Sequence, residues 1–145
     1  MKSAPKHRVV LDTNVYISGI FWDGKPRRII HLAKQEKMSV IVSDSIIKEI
    51  EQILKRPNKP FRLNQKEITK IVENIRSYAI TINPSTRLDV IKHDPNDNHI
   101  LECAVEGNAE FIISGDLHLK ELNTYQGVRI ISPDEYIKVF SQLPS

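Results

Sequence analysis

Carboxylates are the residues of this chain whose placement could do chemistry. Asp12 ends the apolar run in VVLDTNV, Asp44 follows VIVS, Asp116 closes FIISGD, and Asp134 follows VRIISP. Asp97 lies in HDPNDNHILECAVEGNAE, and Glu49 and Glu51 lie close together in SDSIIKEIEQIL. Nitrogen and sulfur ligands are sparse around them. His93 and His99 stand without a second His or Cys at ligand spacing, so zinc is not the expected ion. A set of oxygens alone suits a hard cation, and Mg²⁺ is commonly held by a few carboxylates while keeping several waters. Such an ion activates water and neutralises charge on a phosphodiester during in-line displacement. Carboxylates crowded without one repel each other and their pKa values rise. A divalent cation removes that conflict, which is a physical reason to expect one.

Ser and Asp are also favoured as caps wherever a strand turns into a helix, so each acid has a structural alternative. Asp44 and Asp134 each follow a serine able to cap, and each opens an amphipathic helix; first-turn placement accounts for both. Asp12 directly follows a buried strand, with Asn14 placed to hydrogen-bond a carboxylate and fix its rotamer. Asp116 is preceded by Gly115, which permits a tight turn, and by Ser114, which offers a second oxygen. A helix starting near Asn96 or Asp97 sets Asp97, Leu101 and Ala104 in one row. Asp97 then faces the core from the first turn, where the helix N-terminus favours its charge. Asp94, before Pro95, reads as a turn residue. Glu49 and Glu51 flank the apolar stripe of their helix, one on each edge, and periodicity does not choose between them.

The elements that must position these acids alternate along the chain. Residues 8–11, 39–42, 110–113 and 128–131 read as strands, with a weaker one at 79–82. They are nearly continuous apolar runs, as strands covered on both faces are. Between them, residues 26–37, 45–55, 65–78, 97–106 and 133–140 read as helices. Pro26 suits a first-turn position, Asn64 with Glu67 forms a capping pair, and Ser132-Pro-Asp-Glu135 is a capping box with proline just inside it. Alternating strands and helices imply right-handed crossovers and a parallel sheet with helices on both faces. The fold class is α/β. In such sheets, sites form outside the carboxyl ends of the strands, where the acids stand.

The chain of 145 residues is the size of one domain, and residues 1–145 are read as one. The 40% hydrophobic and 27% charged fractions argue against wholesale disorder. No apolar run approaches the roughly 20 residues that span a bilayer, and no signal-peptide core follows the basic start MKSAPKHR. Cys103 is the only cysteine, which excludes an intrachain disulfide and fits a reducing, cytoplasmic location. The net charge of +3 does not by itself announce nucleic acid. Its distribution is more informative: Lys25, Arg27 and Arg28 form one basic cluster, and Lys55, Arg56, Lys59 and Arg62 form another in KRPNKPFR. These are either solvated helix ends and a loop, or contacts for a phosphate backbone beside the acids.

In this order, the residues resemble the PIN-domain nucleases. The likeness runs from Val9 to about Tyr136. It rests on the opening strand with Asp12, Thr13 and Asn14, the acidic helix SDSIIKEIEQILKRP, and the block DPNDNHILECAVEGNAEFIISGD. It looks most like the toxins of bacterial and archaeal toxin–antitoxin pairs, VapC-like in the broad sense. The resemblance implies a three-layer α/β/α sandwich on a central parallel sheet of about five strands. It implies a Mg²⁺- or Mn²⁺-dependent endoribonuclease acting on RNA, with Asp12, Glu49, Asp97 and Asp116 as metal ligands and Asn14 and Ser114 in support. It thereby selects Glu49 over Glu51. A homodimer and a small antitoxin protein are the partners it implies; a housekeeping RNA-processing nuclease without an antitoxin is the alternative. A HAD-like phosphatase needs a second acid where Asn14 stands, and a receiver domain needs an early acidic pair that Asp12-Thr-Asn lacks. A module that binds RNA or protein without cutting is a further alternative, and the intact acidic set weighs against it.

Overall fold

The computed structural model describes residues 6–57, 62–92 and 94–142. His93 and Lys59 therefore lie outside the described residues. The chain opens with strand β1 (Arg8–Leu11), followed by helices α1 (Thr13–Phe21) and α2 (Lys25–Lys34) and strand β2 (Ser39–Ser43). Helices α3 (Asp44–Leu54) and α4 (Gln65–Tyr78) lead to strand β3 (Ala79–Ile82), and helix α5 (Asn96–Glu106) to strand β4 (Phe111–Ile113). Helix α6 (Leu117–Leu122), a hairpin of β5 (Thr124–Tyr125) and β6 (Val128–Ile131), and helix α7 (Pro133–Ser141) complete it.

The strand order is β3-β2-β1-β4-β6-β5, and the first five strands run parallel. The expected count of about five parallel strands holds; the sixth, β5, is two residues long and antiparallel to β6. Gln126 and Gly127 join the two with φ of 47° and 85°. Two consecutive left-handed residues make a tight hairpin whose twist matches the strands, and glycine takes the second place at no steric cost.

The chain steps outward from β1 to β2 and β3, then crosses back to β4 on the other side of β1. With right-handed crossovers, the helices before and after that reversal fall on opposite faces of the sheet. The inner strands are covered on both sides accordingly. Val9, Val10, Leu11, Val40, Ile41, Val42, Ile112 and Ile113 are buried without alternation. Between β1 and β4, neighbouring connections leave in opposite directions, and a crevice opens at the carboxyl ends of these two strands.

Two helices stand where periodicity gives no signal. In α1, Thr13, Val15, Tyr16, Ile17 and Gly19 are all buried, so no broad polar face marks it as amphipathic. Its β-branched and aromatic residues read as strand as easily as helix. It lies tightly on α2, because a Cβ at Gly19 would come within 2.5 Å of the Ile30 side chain. Helix α6, at six residues, is too short to show a period.

Helix α5 packs on β1, β2 and β4, beneath the crevice. Its polar side chains also bind a strap of chain, residues 85–91. Glu106 accepts from the amides of Ser85 and Thr86, Glu102 from that of Leu88, and Asn98 from those of Val90 and Ile91. No helix among the described residues is long and apolar enough to cross a membrane.

Candidate active site

Asp12 takes the N-cap position of α1, yet its carboxylate makes no capping hydrogen bond. Instead Oδ2 accepts a 2.7 Å hydrogen bond from the buried Ser114 hydroxyl, across the β1–β4 crevice. The same hydroxyl oxygen accepts from the Asp116 amide at 2.9 Å, so one serine side chain ties the two strand ends together. Asp116 is the cap of α6. Its Oδ1 accepts from the His118 and Leu119 amides at the start of α6. Its charge is also felt at Asp12 and Asp97.

Glu49 projects from α3 and accepts a 3.0 Å hydrogen bond from the Thr13 hydroxyl. That bond turns Glu49, and not Glu51, toward the crevice. Asp97 is only 6% exposed in the first turn of α5, and its Oδ2 has no hydrogen-bond partner among the described residues. Leu101 and Ala104, in the same row, are fully buried.

Asp12 and Asp97 both sense the charges of neighbouring acids. Burial pushes the Asp97 carboxyl up from 3.8 to about 7, and the charges of Asp12, Asp116, Asp94 and Glu49 push in the same direction. Burial likewise raises Asp12 to about 6, reinforced by Asp116 and Glu49, while the Ser114 hydroxyl and the Thr13 amide oppose the rise. Glu49 is raised by burial and by Asp94, and held back by the Thr13 hydroxyl, His99 and Arg56. Three raised carboxyls facing one crevice form a locus of unrelieved negative charge. Among the described residues, no three His, Cys, Asp or Glu side chains are drawn close enough together to hold a metal ion as they stand. The donor chemistry nonetheless fits a hard cation: all four candidate ligands are carboxylates, and one buried oxygen is unsatisfied.

The structure separates the remaining expectations. Asp44 pairs with Arg76 behind the Ser43 cap, and Asp134 pairs with Lys25 behind the Ser132 cap, so both are first-turn residues. Asp94 Oδ1 accepts from the Asn96 amide, which is turn chemistry, although its charge reaches the site. Asn14 is exposed and makes no side-chain hydrogen bond among the described residues. The Asp12 carboxylate it was expected to orient is held by the Ser114 hydroxyl instead, and the neighbouring Thr13 hydroxyl holds Glu49. The only signal for Thr13 was adjacency to Asp12.

The basic residues also divide. Arg27 is spent on structure, donating to the Gly19 and Ile20 carbonyls at the end of α1 and to Asp23. Lys25 is held by Asp134 at 3.0 Å. Arg28, Lys55 and Arg56 are exposed without ion pairs among the described residues, and Arg56 lies close enough to lower the Glu49 pKa.

A mostly parallel α/β sheet with acids at the carboxyl ends of its central strands is the class of fold the chain presents. Residues 8–118, which include all four acids, match the PIN domain family model, and the chain belongs to that family. It is 33% identical to an uncharacterized protein of Methanocaldococcus jannaschii, over 97% of this chain and 96% of that one. The fold is similar to that of VapBC2 from Rickettsia felis, a structure bound to a DNA fragment from their promoter. The TM-score there is 0.60, with 15% identity, covering 86% of this chain and 98% of the other. FitAcB from Neisseria gonorrhoeae is similar with a TM-score of 0.52 and 14% identity, covering 86% of this chain and 97% of the other. At such identities the likeness is one of fold.

Proposed function

We propose that the chain is a Mg²⁺- or Mn²⁺-dependent endoribonuclease. The observation that carries this reading is Asp97: a buried carboxylate with an unpartnered oxygen, in the electrostatic field of Asp12, Glu49 and Asp116. Membership of the PIN-domain family supports a nuclease in particular. Asp12, Glu49, Asp97 and Asp116 would hold the cation. When bound, it supplies an activated water and neutralises charge on the phosphodiester.

The chain's own contribution is positioning. The Ser114 hydroxyl fixes the Asp12 carboxylate, and the Thr13 hydroxyl fixes Glu49. Asp116 is fixed through one oxygen by the α6 amides, which leaves the other for a ligand. Arg28, Lys55 and Arg56 are the exposed cations that suit an RNA backbone.

Similarity to VapBC2 and FitAcB supports a further reading, that this chain is the toxin of a toxin–antitoxin pair; a homodimer is proposed with it from the family resemblance alone. Two experiments test these readings. Purified protein is incubated with labelled RNA in Mg²⁺, in Mn²⁺ and in EDTA, alongside Asp12→Asn. Cleavage that needs the ion and the aspartate is expected; cleavage by Asp12→Asn at the wild-type rate assigns the activity elsewhere. Tagged protein expressed with its neighbouring reading frame should bring down a small partner that inhibits cleavage. An uninhibited, solitary nuclease would favour RNA processing.

A further inference from the structure

Beside Glu49, between α3 and the first turn of α5, lies an open groove of about 280 Å³. Ser45, Lys48, Glu49 and Gln52 line it from α3, and Asn96 and His99 from α5. Glu49 is the one of these six that the catalytic reading uses; the rest are an ordered set of polar groups without an assigned purpose. Ser45, Lys48 and Gln52 fall at i, i+3 and i+7, one face of α3, and Asn96 and His99 at i and i+3 of α5.

His99 is not a loose surface ring. Its Nδ1 lies 3.3 Å from Oε1 of Glu102. Glu102 is itself 4% exposed and fastened by the Leu88 amide at 2.8 Å and by Arg87. The ring is thereby oriented, with Nε2 making no hydrogen bond among the described residues. A fixed imidazole face is a stacking platform for a base, and side-chain amides such as those of Gln52 and Asn96 present the paired donor and acceptor that base edges match. Lys48 adds a cation for an adjoining phosphate. The groove falls just below the roughly 300–1,000 Å³ typical of drug-sized ligands, a size for one base and not for a peptide helix.

We infer that this groove is a base-reading subsite that takes one nucleobase of single-stranded RNA next to the phosphodiester held at Glu49. Gln52, Asn96 and His99 set the base preference, and Glu102 acts as a positioning residue that holds His99. The inference rests on the endoribonuclease reading for its substrate, and its test is kept separate from cleavage. Fluorescein-labelled pentamers of A, C, G and U are titrated against Asp12→Asn protein in Mg²⁺, so that the RNA persists, with affinity read by anisotropy. The strongest and weakest of the four should differ by roughly tenfold, and Gln52→Ala or Asn96→Ala, both at exposed positions, should shrink that spread to within about twofold. His99→Ala should do the same if its thermal unfolding matches the parent. Four equal affinities, or a spread that survives both amide substitutions, overturns the subsite. A spread that the amide substitutions abolish, in a protein whose wild type cuts no RNA, would leave the subsite standing and sink the nuclease reading. Wild-type cleavage with four flat affinities would do the reverse.

Discussion

Asp97 and Glu102 lie five residues apart on α5, and both are nearly inaccessible, at 6% and 4% exposure. Their surroundings are opposite. Glu102 is satisfied on both oxygens, by the Leu88 amide on one and by His99 and Arg87 on the other. Asp97 has an oxygen with no partner among the described residues, and acids are the charged groups that push its pKa. Burying a carboxylate costs several kcal/mol unless hydrogen bonds or charges compensate. The first carboxylate is compensated within the fold and serves as a strut for the strap. The second is not compensated among the described residues. Burial alone does not distinguish these two acids; the partners within the fold do, since Glu102 is compensated and one Asp97 oxygen is not.

Substitutions at the proposed metal-holding acids should have the largest effect. Asp12→Asn, Asp97→Asn and Glu49→Gln should each lower Mg²⁺-dependent RNA cleavage by more than about 100-fold, beyond the usual loss from a supporting residue. Glu51→Gln, on the other edge of α3, should stay near wild type. Equal losses at positions 49 and 51 would break the assignment that rests on Thr13. The compensated acid should behave in the contrary way. Glu102→Ala strips the Leu88 amide and His99 of their acceptor and should cost about 2–3 kcal/mol in denaturant unfolding. A Glu102→Ala protein of wild-type stability would mean that the strap is held by Asn98 and Glu106 without it.

Ser114 joins the two strand ends through Asp12 and the Asp116 amide. Ser114→Ala should therefore reduce cleavage by roughly 10–100-fold, with a higher Mg²⁺ concentration needed for half-maximal rate. An unchanged Mg²⁺ titration would show that Asp12 keeps its orientation unaided.

The contrast on α5 also has a pH signature. The Asp97 carboxyl titrates at about 7 in the folded chain, above its ordinary 3.8. Between those values the folded chain holds more protons than the unfolded one, so stability falls as pH rises through the window. Asp12, raised to about 6, adds to the same slope. In EDTA at pH 8, Asp97→Asn should thus raise the free energy of unfolding by on the order of 1–2 kcal/mol, and by much less at pH 4. A variant that is destabilised at pH 8 would show that the Asp97 charge is compensated after all. Added Mg²⁺ should stabilise the wild type and not the variant.

What could be read in the sequence follows the same division. The strands at 8–11, 79–82 and 128–131 and the helix at 65–78 coincide with the observed elements, because β-branched runs mark the strands, even the half-exposed one at 79–82, and a clean amphipathic stripe marks the helix. Helix α1 left none: it is apolar on most sides, and its start at Asp12 looks like the end of a strand. The acids at positions 12, 97 and 116 were legible from their places after strands and on a core-facing row. Glu49 was not legible from periodicity, because its distinction from Glu51 depends on Thr13, which is distant in sequence and adjacent only in space. The satisfied set on α5 was invisible for the same reason, since the amides that occupy Asn98 and Glu102 come from a strap with no pattern of its own.

Arg27 and Arg28 give the smallest and most local version of the comparison. The Arg27 guanidinium is compensated, closing the carbonyls of α1 and meeting Asp23 at 2.8 Å, whereas Arg28 is exposed to solvent. Arg28→Ala and Arg56→Ala should each flatten the salt dependence of RNA binding by roughly 0.7 in slope for every phosphate no longer neutralised, with little change in stability. Arg27→Ala should leave that slope intact and destabilise the packing of α1 on α2 by about 1 kcal/mol. The reverse pattern would make Arg27, and not Arg28 or Arg56, the RNA ligand.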